Sequence, residues 1–241
     1  MGIGRTARWI AAALTLAAAG PACAQDPVSN VSGYVTLASG YWKHGLAQSD
    51  GASLQLGVDY QHHTGFFTYV RATNVAYPQD YPGQTRDIEA SAYVGYHDRG
   101  ETWSWTASLG RYVYPDAGSY DYDELSLGIG FRDRVFYSVS YNDEYYVRSS
   151  SALNQEVSVV FPLRGDLEVG AALGYFKVAD AGPAITHWNV GVSKLLGRMA
   201  LDVRYYDGNY EWRNYLGDPY ADHYVLSLSY ALRGNRRNSA R

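Results

Sequence analysis

Cysteine, methionine and long apolar runs are what this chain of 241 residues has least of. It contains one cysteine and two methionines, and no stretch approaches about 18 consecutive apolar residues. A single cysteine excludes a disulfide within the chain, and the missing apolar run excludes helical membrane spans. Glycine (25) and tyrosine (24) are abundant, which is typical of a chain with many strands rather than a helical core.

Motifs for catalysis and metal binding are missing as well. The sequence contains no nucleophile elbow, Walker loop, H-E-x-x-H or C-x-x-C pattern. Six histidines lie in separate segments without the spacing of metal ligands, at positions 44, 62, 63, 97, 187 and 223. We therefore predict a protein that is not an enzyme and has no cofactor or metal. An outer-membrane enzyme with a lipid-facing Ser–His pair is the least favoured alternative.

Between Val31 and Leu232, short connections alternate with long polar ones. The short ones are His63-Thr64-Gly65, Asp98-Arg99-Gly100-Glu101, Asp133-Arg134, Arg164-Gly165-Asp166 and Gly197-Arg198. The long ones cover residues 44–52, 74–86, 113–121, 142–152, 176–184 and 207–221. The segments between them fit about twelve strands of roughly nine to eleven residues, the length that crosses a bilayer at a tilt. We therefore predict an all-β fold: a transmembrane, antiparallel, up-and-down β-barrel with short periplasmic turns and longer extracellular loops.

Apolar and polar residues alternate along most of these strands. Leu125, Leu127 and Ile129 share one face, while Ser126 and Gly128 share the other. Charged residues lie on the polar face, and charges facing lipid near the midplane cost about 2–4 kcal/mol. The polar face is therefore predicted to line the lumen. The candidate pore-lining residues are Asp59, Arg71, Glu89, Arg132, Glu156, Glu168, Asp202 and Arg204.

Arg71 and Arg204 each lie about six residues past a short turn, so both are expected near mid-height. With Asp59, Asp202 and Glu89 opposite them, they predict a charged constriction that filters small polar solutes. The alternative is a salt-bridged plug that fills the lumen. Twelve strands lie between filled eight-stranded barrels and open sixteen-stranded porins, so barrel width leaves both open.

Aromatic residues cluster at both strand ends, which predicts two belts at the membrane interfaces. Beside the short turns are Tyr60, Phe66, Tyr96, Trp103, Phe131, Phe161 and Tyr230. Beside the long loops are Tyr41, Trp42, Tyr77, Tyr112, Tyr114, Tyr122, Tyr145, Tyr175 and Tyr206. Ordinary aromatic packing in a β-rich protein is the alternative interpretation.

The first 24 residues have the layout of a secretory signal peptide. Arg5 and Arg8 precede a short apolar run over residues 9–19, and Ala22-Cys23-Ala24 supplies an A-x-A cleavage site. A lipoprotein that keeps Cys23 as its lipidated first residue is disfavoured, because Gly20-Pro21-Ala22 lacks the usual branched apolar residue. The mature chain is then free of cysteine, and a closed barrel supplies the stability that disulfides do not.

The charge of the chain is acidic except at its C-terminal end. The formal net charge of −4 becomes −6 when Arg5 and Arg8 leave with the signal peptide, and four arginines in the tail leave −10 for residues 25–232. This balance excludes a nucleic-acid partner. We predict a signal peptide (1–24), an outer-membrane barrel (25–232) and a basic, solvated periplasmic tail (233–241).

Short motifs spread over most of the chain follow a known pattern. They are Ser39-Gly40-Tyr41-Trp42-Lys43-His44-Gly45-Leu46-Ala47-Gln48-Ser49, Asp87-Ile88-Glu89, Tyr112-Val113-Tyr114-Pro115, Asp121-Tyr122-Asp123-Glu124, and His187-Trp188 with Gly191-Val192-Ser193. With these motifs the chain resembles the TorF family of porins, also described as Gcw-type conserved hypothetical outer-membrane proteins. The resemblance implies an outer-membrane barrel with a porin role. Three residues depart from the family pattern: His44 replaces the usual Arg, Arg71 the usual Trp, and His187 the usual Asp.

The sequence therefore predicts an outer-membrane channel of a Gram-negative bacterium that passes small polar solutes through a narrow charged lumen. The alternative is a structural or ligand-binding barrel with a closed lumen and no channel activity. The expected partners are outer-membrane lipid, the barrel-insertion machinery and, for a channel, small polar solutes.

Overall fold

The computed structural model describes residues 30–49, 51–75, 87–115, 117–145, 150–209 and 223–233. Within these ranges the chain forms fourteen strands and one short 3-10 helix, Gly118–Tyr120. The strands are β1 (Asn30–Ala38), β2 (Tyr41–Lys43), β3 (Leu46–Ser49), β4 (Ser53–Gln61), β5 (Phe66–Asn74), β6 (Ile88–Arg99), β7 (Trp103–Val113), β8 (Tyr122–Phe131), β9 (Val135–Asn142), β10 (Ala152–Pro162), β11 (Leu167–Val178), β12 (Ala181–Leu196), β13 (Met199–Gly208) and β14 (His223–Arg233).

Twelve of the strands close into one antiparallel barrel. β1 pairs with β4 on one side and with β14 on the other, and each remaining barrel strand pairs with its neighbours in the chain. The predicted antiparallel barrel of about twelve strands is confirmed. Across the described ranges, β2 and β3 pair with each other and with no barrel strand. The hairpin that they form is therefore held to the wall by side chains and by its two chain ends.

The outer face of the barrel is apolar and the inner face is polar. In β14, Leu226 and Leu228 face outward, 52% and 45% exposed, while Ser227 and Ser229 face inward and are each 2% exposed. The same alternation runs through β8, where Leu125 is exposed and Ser126 is buried. Successive side chains of a strand point to opposite faces. The polar positions of these strands therefore face the lumen, as predicted, and the apolar positions face outward.

The two ends of the barrel differ. We name the end at which β4 meets β5 the turn end, and the opposite end, at which β1 meets β2, the loop end. The turn-end connections are short and include left-handed residues such as Gly65 (φ 101°) and Gly197 (φ 67°). At the loop end, most of the predicted loops 74–86 and 207–221 and part of 142–152 lie outside the described residues.

One predicted long loop is wrong. Residues 176–184 were expected to form a loop, but β11 runs to Val178 and β12 begins at Ala181, which leaves a two-residue turn. The ladder continues through this region by pairing Phe176 with Ile185 and Val178 with Ala181, across a local register shift. Gly182 and Pro183 are residues typical of loops, which explains the wrong prediction. In the structure both lie within β12, because inter-strand hydrogen bonds extend this strand to Ala181.

The first long connection is also different from the prediction. Residues 44–52 were expected to form an extracellular loop. Instead Tyr41–Lys43 and Leu46–Ser49 form the β2–β3 hairpin, and its turn residues His44 and Gly45 have positive φ values of 53° and 76°. Strand β2 is fully buried and most of β3 is buried, because the hairpin folds into the lumen rather than into solvent.

The predicted aromatic belt is present at the turn end, whereas the belt predicted at the loop end is wrong. Phe66, Trp103 and Phe161 are exposed outward at the turn end. Most loop-end aromatics point inward instead, because their strand parity is that of the lumen or because they belong to the hairpin. The buried ones are Tyr41, Trp42, Tyr112, Tyr114, Tyr122 and Tyr145, whereas Tyr175 is exposed and Tyr77 lies outside the described residues.

The predicted signal peptide, residues 1–24, and residues 234–241 of the predicted tail lie outside the described residues. Arg233, the first residue of that tail, ends β14. In the described part of the chain, no helix is long and apolar enough to cross a membrane.

Candidate functional site in the barrel lumen

The β2–β3 hairpin crosses the lumen at the loop end and contacts opposite walls. Trp42 stacks on Tyr206 of β13, with ring centroids 5.6 Å apart. At the hairpin turn, His44 stacks on Phe176 of β11 at 5.1 Å. A Cβ atom at Gly45 would lie 2.6 Å from the Cβ of His187, so only glycine allows the turn to press this closely against β12.

Glu89 of β6 connects the hairpin to the wall. Its side chain is fully buried, and Lys43 Nζ and Arg71 Nη2 approach its two oxygens at 3.3 and 3.2 Å. Tyr114 donates a hydrogen bond to the same carboxylate at 2.7 Å, and Tyr41 donates one at 3.3 Å. Arg71 also donates to the Tyr41 hydroxyl. One carboxylate therefore pairs with two buried cations, one from the hairpin and one from β5.

The Lys43 ammonium is surrounded by aromatic rings as well as by charge. Its Nζ lies 3.5 Å from the centroid of the Tyr112 ring and 5.5 Å from that of Tyr122. It donates to the Tyr122 hydroxyl at 2.8 Å. Tyr112 and Tyr122 stack on each other at 4.5 Å, which fixes both rings around the cation. Such an arrangement combines cation–π attraction with a charge-assisted hydrogen bond.

A second charged group lies along the opposite wall. Arg204 of β13 donates to Asn189 Oδ1 at 2.6 Å and pairs with Asp202 Oδ2 at 3.3 Å. Ser193 donates to the same Asp202 oxygen at 2.6 Å. All four side chains are buried. The Arg204 charge is thus held by neighbours on β12 and β13 and does not project alone into the lumen.

Glycines keep the Arg204 side chain flat against the wall. A Cβ atom at Gly191 would lie 3.0 Å from Arg204 Cζ and 2.9 Å from the Val203 carbonyl oxygen. A Cβ atom at Gly170 of β11 would lie 3.3 Å from Arg204 Nη2. The guanidinium therefore extends from β13 across β12 toward β11, where Glu156 of β10 is within its electrostatic range.

Replacement of Gly191 by alanine should displace Arg204 from the wall. The added methyl group overlaps backbone and side-chain atoms, and overpacking of this kind costs about 1–3 kcal/mol. Guanidinium-induced unfolding of purified Gly191→Ala in detergent measures the loss. Gly128→Ala is the matched control, because its Cβ would meet its nearest neighbour at 3.7 Å, an ordinary contact. Equal stability of the two variants would contradict the flat placement of Arg204.

The predicted pore-lining residues form two groups rather than one constriction. Arg71 pairs with Glu89, and Arg204 pairs with Asp202. Asp59 accepts a hydrogen bond from Ser32 at 2.6 Å and does not pair with either arginine among the described contacts. The remaining three residues lie elsewhere: Glu156 half-buried on β10, Glu168 buried on β11, and Arg132 exposed in the turn between β8 and β9. Their role in lining a pore stays a prediction.

Two histidines meet at the hairpin turn. His44 lies beside His187 of β12 and Asn154 of β10, with Lys43 next to it in the chain. Burial lowers the pKa of His44 well below its ordinary value, and the charges of Lys43 and His187 lower it further.

Acid should weaken the docking of the hairpin. Because the pKa of His44 is lowered in the folded protein, folding favours the neutral form of this side chain. The resulting contribution to the free energy of unfolding is complete above the unfolded pKa of about 6.5 and is lost as pH falls below it. At pH 5 the loss reaches up to about 2 kcal/mol. The free energy of unfolding of the purified protein, measured between pH 7 and pH 5, should therefore fall toward acid.

His44→Phe keeps the ring against Phe176 and removes the titrating group, so its pH response should be smaller. A wild-type free energy of unfolding that does not change with acid would contradict the role of His44.

Sequence reasoning missed most of the hairpin site. Lys43, Glu124 and His187 lie in the motifs that resemble the family but are not among the predicted pore-lining residues, and the sequence places Tyr41 and Tyr114 in a membrane belt. The usable signal was the strand parity of Tyr112, Tyr122 and Glu124, which share the inner face of β7 and β8. Within the described ranges, no group of three or more His, Cys, Asp and Glu side chains could hold a metal ion.

A closed antiparallel barrel with an apolar outer face and a polar, charged inner face has the architecture of porin-type barrels. A family model described as "Bacterial protein of unknown function (Gcw_chp)" matches residues 21–229, and the chain belongs to this family. No curated protein is significantly similar to the chain.

Solved porin structures resemble the fold. The KdgM porin has a TM-score of 0.54 at 13% identity, over 86% of this chain and all of that chain. The NanC porin has a TM-score of 0.56 at 8% identity, over 85% of this chain and all of that chain. A structure of KdgM in complex with disordered oligogalacturonate gives 0.53 at 12% identity, over 86% of this chain and all of that chain. At these identities the similarity concerns the fold.

Proposed function

We propose that this protein is an outer-membrane channel of a Gram-negative bacterium that passes small polar solutes through a narrow charged lumen. The observation that carries the proposal is the inverted polarity of the barrel: exposed leucines and valines outside, and serines, carboxylates and arginines inside. An apolar outer band suits lipid, and a polar interior suits water and solutes. The porin folds that resemble this chain support the same function.

The accessibility of the inner face differs between the two ends. Toward the turn end, the inward residues Asp59, Phe67 and His97 are half-buried, whereas Glu89 and Tyr112 at the loop end are buried under the hairpin. We propose a vestibule that opens at the turn end, on the periplasmic side, and narrows at the hairpin. The hairpin is then the constriction through which a solute passes.

The charges of the lumen favour cations over polyanions. Six inward carboxylates face four inward cations in the described strands and hairpin; the carboxylates are Asp59, Glu89, Glu124, Glu156, Glu168 and Asp202, and the cations are Lys43, Arg71, Arg99 and Arg204. Each cation is paired with at least one carboxylate. Rings of acidic groups select cations in channels, so we propose cation preference, in contrast to the polyanionic oligogalacturonate named for KdgM.

Planar-bilayer recordings test the channel. Purified protein should give discrete conductance steps, and a salt gradient should give a reversal potential of the sign for cations. Protein boiled before reconstitution is the control for detergent and contaminants. Absence of current from folded protein, with folding established by a gel shift between boiled and unboiled samples, would sink the channel proposal.

A structural or ligand-binding barrel with a closed lumen is the second candidate. It is favoured by the loop-end interior, where Tyr112, Tyr114 and Glu89 are each at most 1% exposed. The same recordings separate the two candidates. The outer-membrane lipid, the barrel-insertion machinery and the TorF family name remain predictions from the sequence, and we propose no catalytic activity.

A further inference from the structure

We infer that the loop-end wall of the lumen contains a binding site for a primary ammonium group, and that Lys43 of the hairpin occupies it as a tethered ligand. The site belongs to the barrel: Glu89 on β6, Tyr112 on β7, and Tyr122 and Glu124 on β8. The permeating or bound solutes would then be small organic amines. That extension rests on the proposed function, whereas the site itself does not.

The wall supplies every contact that an ammonium group needs. The Tyr112 ring offers its face 3.5 Å from the nitrogen, the Tyr122 hydroxyl accepts at 2.8 Å, and Glu89 Oε2 accepts at 3.3 Å. A ring face, a neutral acceptor and a carboxylate around one nitrogen are a recognition set for R–NH₃⁺. The two directional acceptors require N–H groups, so the site disfavours a quaternary ammonium of the same charge.

A second carboxylate stands beside this site with unused capacity. Glu124 is 2% exposed and interacts electrostatically with Lys43. Ser126 donates to its Oε1 at 3.1 Å, and Ser140 of β9 faces the carboxylate. Its Oε2 atom is buried with no hydrogen-bond partner in the described part of the chain. A buried carboxylate oxygen without a donor is costly, and it points to a donor-rich cation as the partner that this wall accommodates.

The present occupant is attached in a way that lets it leave. The β2–β3 hairpin shares no strand pairing with the barrel across the described ranges, so its docking rests on side chains and on its ends. At Gly51, near one end, no atom of the described residues lies within 4 Å of the position where a Cβ would be. When the hairpin moves, the ammonium of Lys43 moves away with it. The wall residues stay where they are, because they belong to barrel strands.

Chemical rescue tests the site. Lys43→Ala deletes the atoms of n-propylammonium and leaves a matching space. Added n-propylammonium chloride should raise the unfolding temperature of this variant, read from the boiled-to-unboiled gel shift, saturably and by about 5 °C. The wild type should not respond, because Lys43 fills its site. Tetramethylammonium, which lacks N–H groups, and 1-propanol, which lacks charge, are the controls.

Glu124→Gln in the Lys43→Ala background should weaken the n-propylammonium response at least tenfold in concentration. Equal responses to tetramethylammonium or 1-propanol, or an equal response of the wild type, would overturn the site. If Lys43→Ala does not fold, the same titration is made on a variant that lacks residues 41–49, and no response there overturns it as well. Rescue by n-propylammonium without any conductance would support the ammonium site and reject the channel proposal. Conductance without rescue would support the channel proposal and reject the ammonium site.

Discussion

Deletion of residues 41–49, with Gly40 joined to Asp50 through a short flexible linker, should raise the single-channel conductance on the order of tenfold. These residues form the β2–β3 hairpin, which crosses the lumen from Trp42 against Tyr206 to His44 against Phe176. Their removal takes side chains and backbone out of the narrowest part of the proposed pathway. Planar-bilayer recordings of the deletion and the wild type at equal salt measure the change.

A variant with the hairpin fixed in place is the matched control. Gly45→Cys with His187→Cys, in a Cys23→Ser background, pairs two positions whose Cβ atoms would be 2.6 Å apart. A disulfide needs about 3.5–4.5 Å, so a shift of about 1 Å in the hairpin turn suffices. Oxidised, this variant should keep a low conductance. A deletion that conducts no better than the wild type would contradict the role of the hairpin as the constriction.

Glu89→Gln should be the most damaging single substitution in the lumen. It leaves the charges of Lys43 and Arg71 without their shared carboxylate, although their side chains are only 5% and 12% exposed. Breaking a buried ion pair by removing one partner costs about 3–5 kcal/mol. Guanidinium-induced unfolding in detergent should show the loss, and the hairpin should be released along with it.

Glu124→Gln is the control for this prediction. It also removes a carboxylate charge from a buried side chain of the same wall. Within the described residues, however, Glu124 has no ion-pair partner within 4.0 Å, and one of its oxygens has no hydrogen-bond partner. Removal of an incompletely satisfied charge should therefore cost clearly less than the loss of Glu89. Similar losses for both variants would show that burial of the residue, rather than pairing, determines the effect.

The barrel was predictable because its signals are local. Alternation within one strand and turn residues between strands do not depend on distant parts of the chain, and they placed Glu89, Arg71 and Arg204 on the inner face. The two-residue turn at 179–180 escaped prediction, because ladder pairing between β11 and β12 overrides the loop-like Gly182-Pro183 sequence.

The hairpin was not predictable by the same means. Tyr41–Ser49 is polar and aromatic in sequence, which fits an exposed loop as well as a segment inside a polar lumen. Its place is decided by Glu89, Phe176 and His187, which are distant in sequence and close only after the barrel closes. The belt prediction for Tyr112 and Tyr122 rested on their position near the strand ends, although their strand parity already placed both side chains inside the barrel.

The position of the hairpin between β1 and β4 also has a consequence for folding. Its contacts come from strands throughout the chain: Glu89 of β6 is joined by Phe176 of β11, Tyr206 of β13 and His223 of β14. Contacts of such long sequence separation form late, since chain entropy must be lost first. We therefore expect the hairpin, which is made early in synthesis, to dock last, after β14 has paired with β1, so that its docking marks a closed barrel.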